Sequence, residues 1–152
     1  MSRAITAMIR LCKELAAIGD VVGNRIRTGY AGQVDQRPYI LLWNVASNPA
    51  HDLQGETGIE TDTVQLDIYA DSYAAANRLT ELVADATYRR HRCRVDDPGS
   101  DDDGNRTPIM VHSIMRSGGP RQSGESAGPG SGEQIARVSI DIRITHSAIN
   151  ET

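Results

Sequence analysis

The sequence predicts an α+β fold, in which a small antiparallel or mixed four-stranded sheet carries two helices packed on one face. Two observations lead to this prediction. Segments with helical spacing of apolar residues and segments with strict alternation follow one another in the order α-β-β-α-β-β. Aromatic residues make up 4% of the chain and Phe is absent, so we expect a core of Ile, Val, Leu, Met and Ala. We expect one domain over residues 1–152, because a chain of this length buries about two-thirds of its unfolded surface.

The first predicted helix begins at Ser2, which can cap it, and ends at Gly19. Its apolar positions form one stripe: Ile5, Met8, Ile9, Cys12, Leu15 and Ala16. We expect the charged side chains on the opposite face: Arg3, Arg10, Lys13 and Glu14. An irregular connector then leads to Pro38.

The first two predicted strands are residues 39–47 and 59–70. The segment "YILLWNVAS" (39–47) is apolar at both parities, which predicts a strand covered on both sides. Residues 48–58 contain many turn-forming residues and predict a loop. The segment 59–70 alternates, and its inward residues are Val64, Leu66, Ile68 and Ala70.

The second predicted helix follows the capping pair Asp71-Ser72 and extends over "YAAANRLTELVADATYRR". We expect it to bury Tyr73, Ala76, Leu79, Leu82 or Val83, and Ala86.

The last two predicted strands, 107–117 and 135–146, form a hairpin with a long connection. In the first, Ile109, Val111 and Ser113 face away from Met110, His112, Ile114 and Arg116. In the second, the inward residues are Ala136, Val138, Ile140, Ile142 and Ile144. Gly, Ser and Pro dominate residues 117–132, which predicts a protruding loop between the two strands.

The motifs that carry chemistry do not appear in this sequence. The four histidines share no ligand spacing with one another or with Cys12 and Cys93. The acidic loop 96–105 lacks the bidentate last ligand of a calcium loop, and no Gly-rich segment matches a phosphate-binding motif. We therefore predict no catalytic residue, no metal and no cofactor, and we expect that the protein is not an enzyme.

The candidate functional residues are charged. Arg89, Arg90, Arg92 and Arg94 form one basic cluster. It suits either the end of a helix, where cations compensate the macrodipole, or an acidic partner. The acidic run Asp101, Asp102 and Asp103 could pair with this cluster between neighbouring copies. The remaining candidate interface residues are Arg116, Arg121, Arg137, Asp141 and Arg143, and the last three would discourage wrong edge pairing.

The segment "GETGIETDTVQLDIYADSYAAANRLTELVADA", together with the preceding "NRIRTGYAGQVDQRPYILLWNVAS", resembles the tail-completion or tail-terminator proteins of long-tailed bacteriophages. The resemblance implies a structural virion protein that assembles in the bacterial cytoplasm. It would form a ring, typically of six copies, that caps the tail tube, stops its polymerisation and joins tail to head. The implied partners are further copies of the chain, the tail tube protein and a head-side neck or head-completion protein.

Two alternatives remain open at this stage. One is a head-closure or neck adaptor ring, and the other is a small nucleic-acid-associated protein that uses Arg89 to Arg94. The net charge of −4 argues against a dedicated nucleic-acid binder, and we expect no sequence-specific nucleic acid, although DNA could pass through a ring lumen. No secretory signal and no apolar segment of membrane-spanning length appears, so we expect no membrane partner.

Overall fold

The computed structural model describes residues 3–28, 36–88, 90–96, 108–126 and 134–149. Within these ranges the helices are α1 (Arg3–Glu14), α2 (Ala16–Val22) and α3 (Tyr73–Thr87). The strands are β1 (Ile26–Thr28), β2 (Tyr39–Asp52), β3 (Gly55–Ala70), β4 (His91–Val95), β5 (Ile109–Ser126) and β6 (Gln134–Ala148).

The prediction of four strands and two helices is wrong. In the described part of the chain, six strands form one mixed sheet in the order β1-β2-β3-β6-β5-β4. β1 pairs parallel to β2, whereas every other neighbouring pair is antiparallel. The two missed strands are β1, of three residues, and β4, of five residues. Both lie at the edges of the sheet, and such short segments show too little alternation to be recognised.

The first predicted helix is two helices in the structure. Leu15 adopts an extended backbone with φ −88° and ψ 109°, which separates α1 from α2. Gly19 lies inside α2, and Gly23 ends it with φ +54°, a conformation that favours glycine. α2 therefore ends about one helical turn after Gly19, the residue at which the sequence predicts the end of the first helix.

The apolar stripe of α1 is buried as expected at Ile5, Met8, Ile9 and Cys12. Arg10 was expected on the exposed face and is instead 1% exposed. Its Nη1 donates to the carbonyl oxygen of Val95 at 3.3 Å, so the guanidinium bridges α1 and the end of β4. Burial of a charged side chain requires such hydrogen bonds.

α3 begins where the sequence predicts. Ser72 caps it, because its Oγ accepts a hydrogen bond from the backbone N–H of Ala75 at 3.1 Å. Ala76, Leu79 and Val83 are buried against the sheet. Tyr73 was expected in the core and is exposed, since it occupies the first helical position beside the cap.

The predicted loop 48–58 is part of a long hairpin. β2 and β3 pair from Tyr39↔Tyr69 to Asp52↔Gly55, so only two residues form the turn. β6 pairs with β3 only from Glu60 to Ala70. Residues 50–59 therefore form a two-stranded ribbon that extends beyond β6, and we call residues 44–59, which include this ribbon and the β2 segment leading to it, the arm.

Much of the predicted Gly/Ser loop 117–132 is also strand. β5 continues to Ser126 and pairs with β6 as far as Ser126↔Gln134, with register shifts on both sides of Gly118. Gly119 permits this irregularity, because its φ is +78° and an added Cβ would lie 2.6 Å from the carbonyl oxygen of Ser139. Residues 127–133, and the predicted acidic loop from residue 97 onwards, lie outside the described residues.

The core lies between the helices and one face of the sheet. The inward residues predicted on β3 and β6 are all buried there: Val64, Leu66, Ile68, Ala70, Ala136, Val138, Ile140, Ile142 and Ile144. In β5, Ile109 and Val111 join them as expected. Ile114 was placed on the opposite face and is also buried, because a bulge between Val111 and Ser113 reverses the alternation.

Candidate assembly surfaces on the sheet

The basic cluster lies mostly on the edge strand β4. α3 ends at Thr87, and residues 91–95 pair with β5, so Arg92 and Arg94 are strand residues and not part of a helix end. Arg90 precedes the strand, and its Nε donates to the carbonyl oxygen of Ala86 in the last turn of α3 at 3.2 Å. Arg89 lies outside the described residues.

Two arginines of this cluster are held by ion pairs. Arg90 Nη2 lies 3.4 Å from Glu14 Oε2, and Arg94 Nε lies 2.5 Å from Asp96 Oδ1. Arg92 is exposed and has φ +52°, the one non-glycine residue of the described chain with positive φ. Such backbone conformations cost energy and recur at functional surfaces.

Arg121 extends the basic edge onto β5. Its two terminal nitrogens bind both carboxylate oxygens of Asp141, at 3.0 and 3.1 Å. The hydrogen bond with Asp141 raises the pKa of Arg121, so the guanidinium stays charged. Arg116, on the same strand, is exposed. Burial raises the pKa of Tyr88, and the nearby positive charge of Arg116 partly opposes this effect.

On the face of the sheet opposite the helices, Arg137 binds Asp67. Arg137 Nη2 donates to Asp67 Oδ2 at 2.9 Å, and Trp43 Nε1 donates to the same oxygen at 3.2 Å. Ser139 Oγ and Gln65 Nε2 donate to Oδ1 at 2.7 and 2.9 Å. Four donors thus satisfy a carboxylate that is only 2% exposed.

This buried carboxylate was not found among the candidate residues of the sequence. Asp67 alternates with apolar residues on β3, which predicts an outward side chain, and Arg137 lies 70 residues away along the chain. The signal that could have found it is the match of polar outward residues on two strands, since Asp67 pairs directly with Ser139 in the register. Arg137 also lies over the ring of Tyr69 at 5.7 Å from its centroid.

Arg143 is exposed on β6, away from the Arg137 network. Asp101, Asp102 and Asp103 lie outside the described residues, so their pairing with the basic cluster stays a prediction.

The arm is the region that sequence reasoning missed. It contains Asp52 and Glu56, and Glu60 follows at its base, whereas residues 44–60 contain no Lys or Arg. Asp52 Oδ1 accepts from the backbone N–H of Gln54 at 2.7 Å, and Thr57 Oγ1 donates to the carbonyl oxygen of Ala50 at 3.2 Å. These bonds hold the turn while the charges stay exposed.

A second buried polar pair lies at the base of the arm. His146 Nε2 lies 3.1 Å from Asp62 Oδ2, and both residues are at most 2% exposed. Burial lowers the pKa of His146, although the hydrogen bond with Asp62 opposes this effect. Glu60 lies beside the pair, and one ligand atom from each of the three residues fits within 4.8 Å, so these are the described residues that could hold a metal ion.

The described side chains do not bring together a nucleophile, a base and an orienting carboxylate. His146 contacts the carboxylate of Asp62, whereas His112 contacts the hydroxyl of Ser147 at 3.0 Å on another strand. Burial raises the pKa of Cys12 to about 12, so its sulfur stays a thiol inside the core. The arrangement of charged edges is suited to contacts between proteins.

Comparison with known proteins agrees with this assessment. The family model described as "Tail completion protein gp17" matches residues 6–91, which include both β2 and β3 and all of α3. The chain belongs to this family. It is therefore a tail-completion protein, a structural component of the virion tail.

Solved structures show the same fold. A chain from a structure titled "Virion of native gene transfer agent (GTA) particle" superimposes with a TM-score of 0.62 at 14% sequence identity. The match covers 94% of this chain and 93% of that chain. Among curated proteins, no sequence matches this tail-completion protein. Within the residues that the structure describes, no helix is long and apolar enough to cross a membrane.

Proposed function

We propose that this tail-completion protein forms a ring of six copies on the end of the finished tail tube. The ring stops further polymerisation of the tube and presents the surface to which the head attaches. Residues 1–152 act as one domain in this role, and the protein catalyses no reaction. The partners are neighbouring copies of the chain, the tail tube protein and a head-side completion protein.

The observation that carries this proposal is the placement of the two hairpins. The arm extends beyond the pair Glu60↔His146, at one end of the sheet. The β5–β6 hairpin extends beyond the pair Ala70↔Ala136, at the other end. A joint between tail and head needs contacts in two opposite directions, and these hairpins supply one set of contacts in each direction.

The family and the fold add support. Tail completion is the role that the family's description states, and a chain with this fold is a part of a gene transfer agent virion. Nucleic-acid binding by the basic cluster is less suited to the structure, because Glu14 and Asp96 already pair with Arg90 and Arg94. Those carboxylates would repel phosphate groups.

Electron microscopy of the purified protein with tail tubes made from the same particle's tube protein tests the proposal. We expect rings at the ends of tubes, and tubes that stop elongating when the protein is added. Particles that lack the gene should carry overlong or unjoined tails. Binding to the portal and adaptor assembly in place of tubes would identify a neck ring instead. A protein that stays a single subunit beside tubes would contradict any ring.

A further inference from the structure

Each lateral edge of the sheet leaves a length of strand without a described partner. On one edge, the described part of β1 pairs with the outer side of β2 only at residues 40–42. The outer side of β2 therefore has no described partner over residues 44–52. On the other edge, β4 covers β5 only as far as Ser113. The outer side of β5 lacks a described partner over residues 114–126, and nine of these thirteen residues, 114–122, are enough to match the exposed length of β2.

These edges also carry opposite charge. The arm contains the acidic residues described above and no Lys or Arg. The opposite edge, over residues 90–96 and 108–122, contains five arginines and one carboxylate: Arg90, Arg92, Arg94, Arg116, Arg121 and Asp96. Since Arg90, Arg94 and Arg121 pair with Glu14, Asp96 and Asp141, the positive charge offered to a neighbour comes from the exposed Arg92 and Arg116. One edge of the chain is thus complementary to the other edge of the same chain, which is the condition for head-to-tail contact between copies.

We propose that residues 44–52 of one copy add as a strand to residues 114–122 of the next copy, with a second copy of this chain as the one occupant of each edge. This inference rests on the proposed function, because it names the contact that would close the ring. In this pairing Asp52 lies near Ile114, within reach of Arg116 and Arg92. Each edge also brings one exposed apolar side chain to the contact, Val45 and Met115.

The strand directions favour this arrangement. β2, β3, β6 and β5 are successive antiparallel neighbours, so β2 and β5 run in opposite directions. When two copies stand side by side in the same orientation, the new contact between β2 and β5 is antiparallel, the more stable pairing. Main-chain hydrogen bonds of this kind give affinity where a strand is added to an exposed edge, and here the ladder would be interrupted at Pro49 and Pro120, which have no N–H to donate.

The stagger between the two exposed lengths is compatible with a closed ring. In the register of the sheet, residues 44–52 lie level with 55–64 of β3, and residues 114–122 lie level with about 62–68. The offset is about six residues, or about 20 Å along the strands, against about 19 Å across four strands. This ratio corresponds to a strand tilt of about 45°, which is near the tilt of about 35–45° found in closed barrels.

Two charge-reversed variants test the contact. The edge variant carries Arg92→Glu and Arg116→Glu, and the arm variant carries Asp52→Arg and Glu56→Arg. Each variant alone brings like charges together at every contact, so we expect at least tenfold weaker self-association in sedimentation velocity and native mass spectrometry. The change Arg78→Glu, on the exposed side of α3, is the control and should leave the mass of the assembly unchanged.

Mixing the two variants gives the sharpest result. The reversed edge of one variant faces the reversed arm of the other, and the two unreversed surfaces also face each other. An equimolar mixture should therefore regain assemblies in which the variants alternate. Circular dichroism melts of each variant alone verify that both fold, and misfolded variants could not restore association on mixing.

The outcomes separate this inference from the proposed function. If the wild-type chain forms rings and both reversed variants form them equally well, the strand-addition contact is wrong while the ring stands. If neither variant assembles and the mixture also stays monomeric, the charged edges do not meet and the contact is again wrong. If the wild-type chain remains a single subunit even with tail tubes present, both the ring and the contact fall.

Discussion

The two halves of the β2–β3 hairpin have opposite surroundings, although the same strands form both. Near the body of the sheet, Val64, Leu66 and Ile68 are fully buried beneath the helices. In the arm, Val45 is 60% exposed and Leu53, at the turn, is fully exposed. An isolated two-stranded hairpin is marginally stable in water. From this difference we expect that the body holds the fold, and that the arm gains stabilisation only when a neighbour covers it.

The body should respond most strongly to a cavity. Leu66→Ala removes three buried carbons between the helices and the centre of the sheet, so we expect the free energy of unfolding to fall by about 2–5 kcal/mol. Denaturant unfolding monitored by circular dichroism measures the change. Val45→Ala is the matched control in the arm and should shift the midpoint much less. Equal losses from the two variants would show that the arm is packed as tightly as the body.

The opposite face of the body should respond to the loss of a single carboxylate. Asp67→Ala leaves Arg137, Trp43 and Ser139 without their shared acceptor, and we expect a loss of about 2 kcal/mol in the free energy of unfolding. This value is below that of a fully buried pair because Arg137 is partly exposed.

Asp71→Ala is the control for that variant. It removes the exposed ion pair between Asp71 and Arg37, and we expect little change because water screens such pairs. The same denaturant midpoints decide the comparison. A larger loss from Asp71→Ala than from Asp67→Ala would mean that the buried network does not stabilise this face.

The body of the fold could be predicted from sequence because its residues obey local rules. The alternation of β6 predicts every inward residue from Ala136 to Ile144, and Ser72 predicts the start of α3. The capping hydroxyl and the period of two are properties of a few consecutive residues, so neither needs knowledge of distant partners.

The arm and the edge strands could not be predicted in the same way. Asn48, Pro49, Gly55 and Gly58 are each typical of turns, yet pairing across the hairpin places all four in strands. β4 has only five residues and closely follows α3, so its alternation is too short to distinguish a strand from a continuation of the helix. In both segments, pairing with a distant strand determines that the residues form a strand, and the preferences of the residues themselves do not predict it.

The candidate contact residues also include some that the sequence predicts and some that only the strand register reveals. Charged residues such as Arg92 and Arg116 are visible in the sequence as possible contacts, and the structure places them along one edge. The Asp67 network depends on the register between β3 and β6, which no local pattern contains. The acidic arm is not predicted from sequence because residues 48–58 resemble a loop, and the pattern of a loop does not indicate which way its carboxylates face.

The smallest effect on folding is expected at the tip of the arm, where Leu53→Ser changes a fully exposed side chain. We expect an unchanged midpoint of unfolding for the isolated chain, since the leucine buries no surface there. Association between copies should nevertheless weaken by about tenfold or more, because covering a leucine contributes about 1.5–3 kcal/mol and 1.4 kcal/mol corresponds to a factor of ten. Concentration-dependent sedimentation measures this effect. A lower midpoint with unchanged association would mean that the arm packs on its own chain, and the contrast between arm and body would then be wrong.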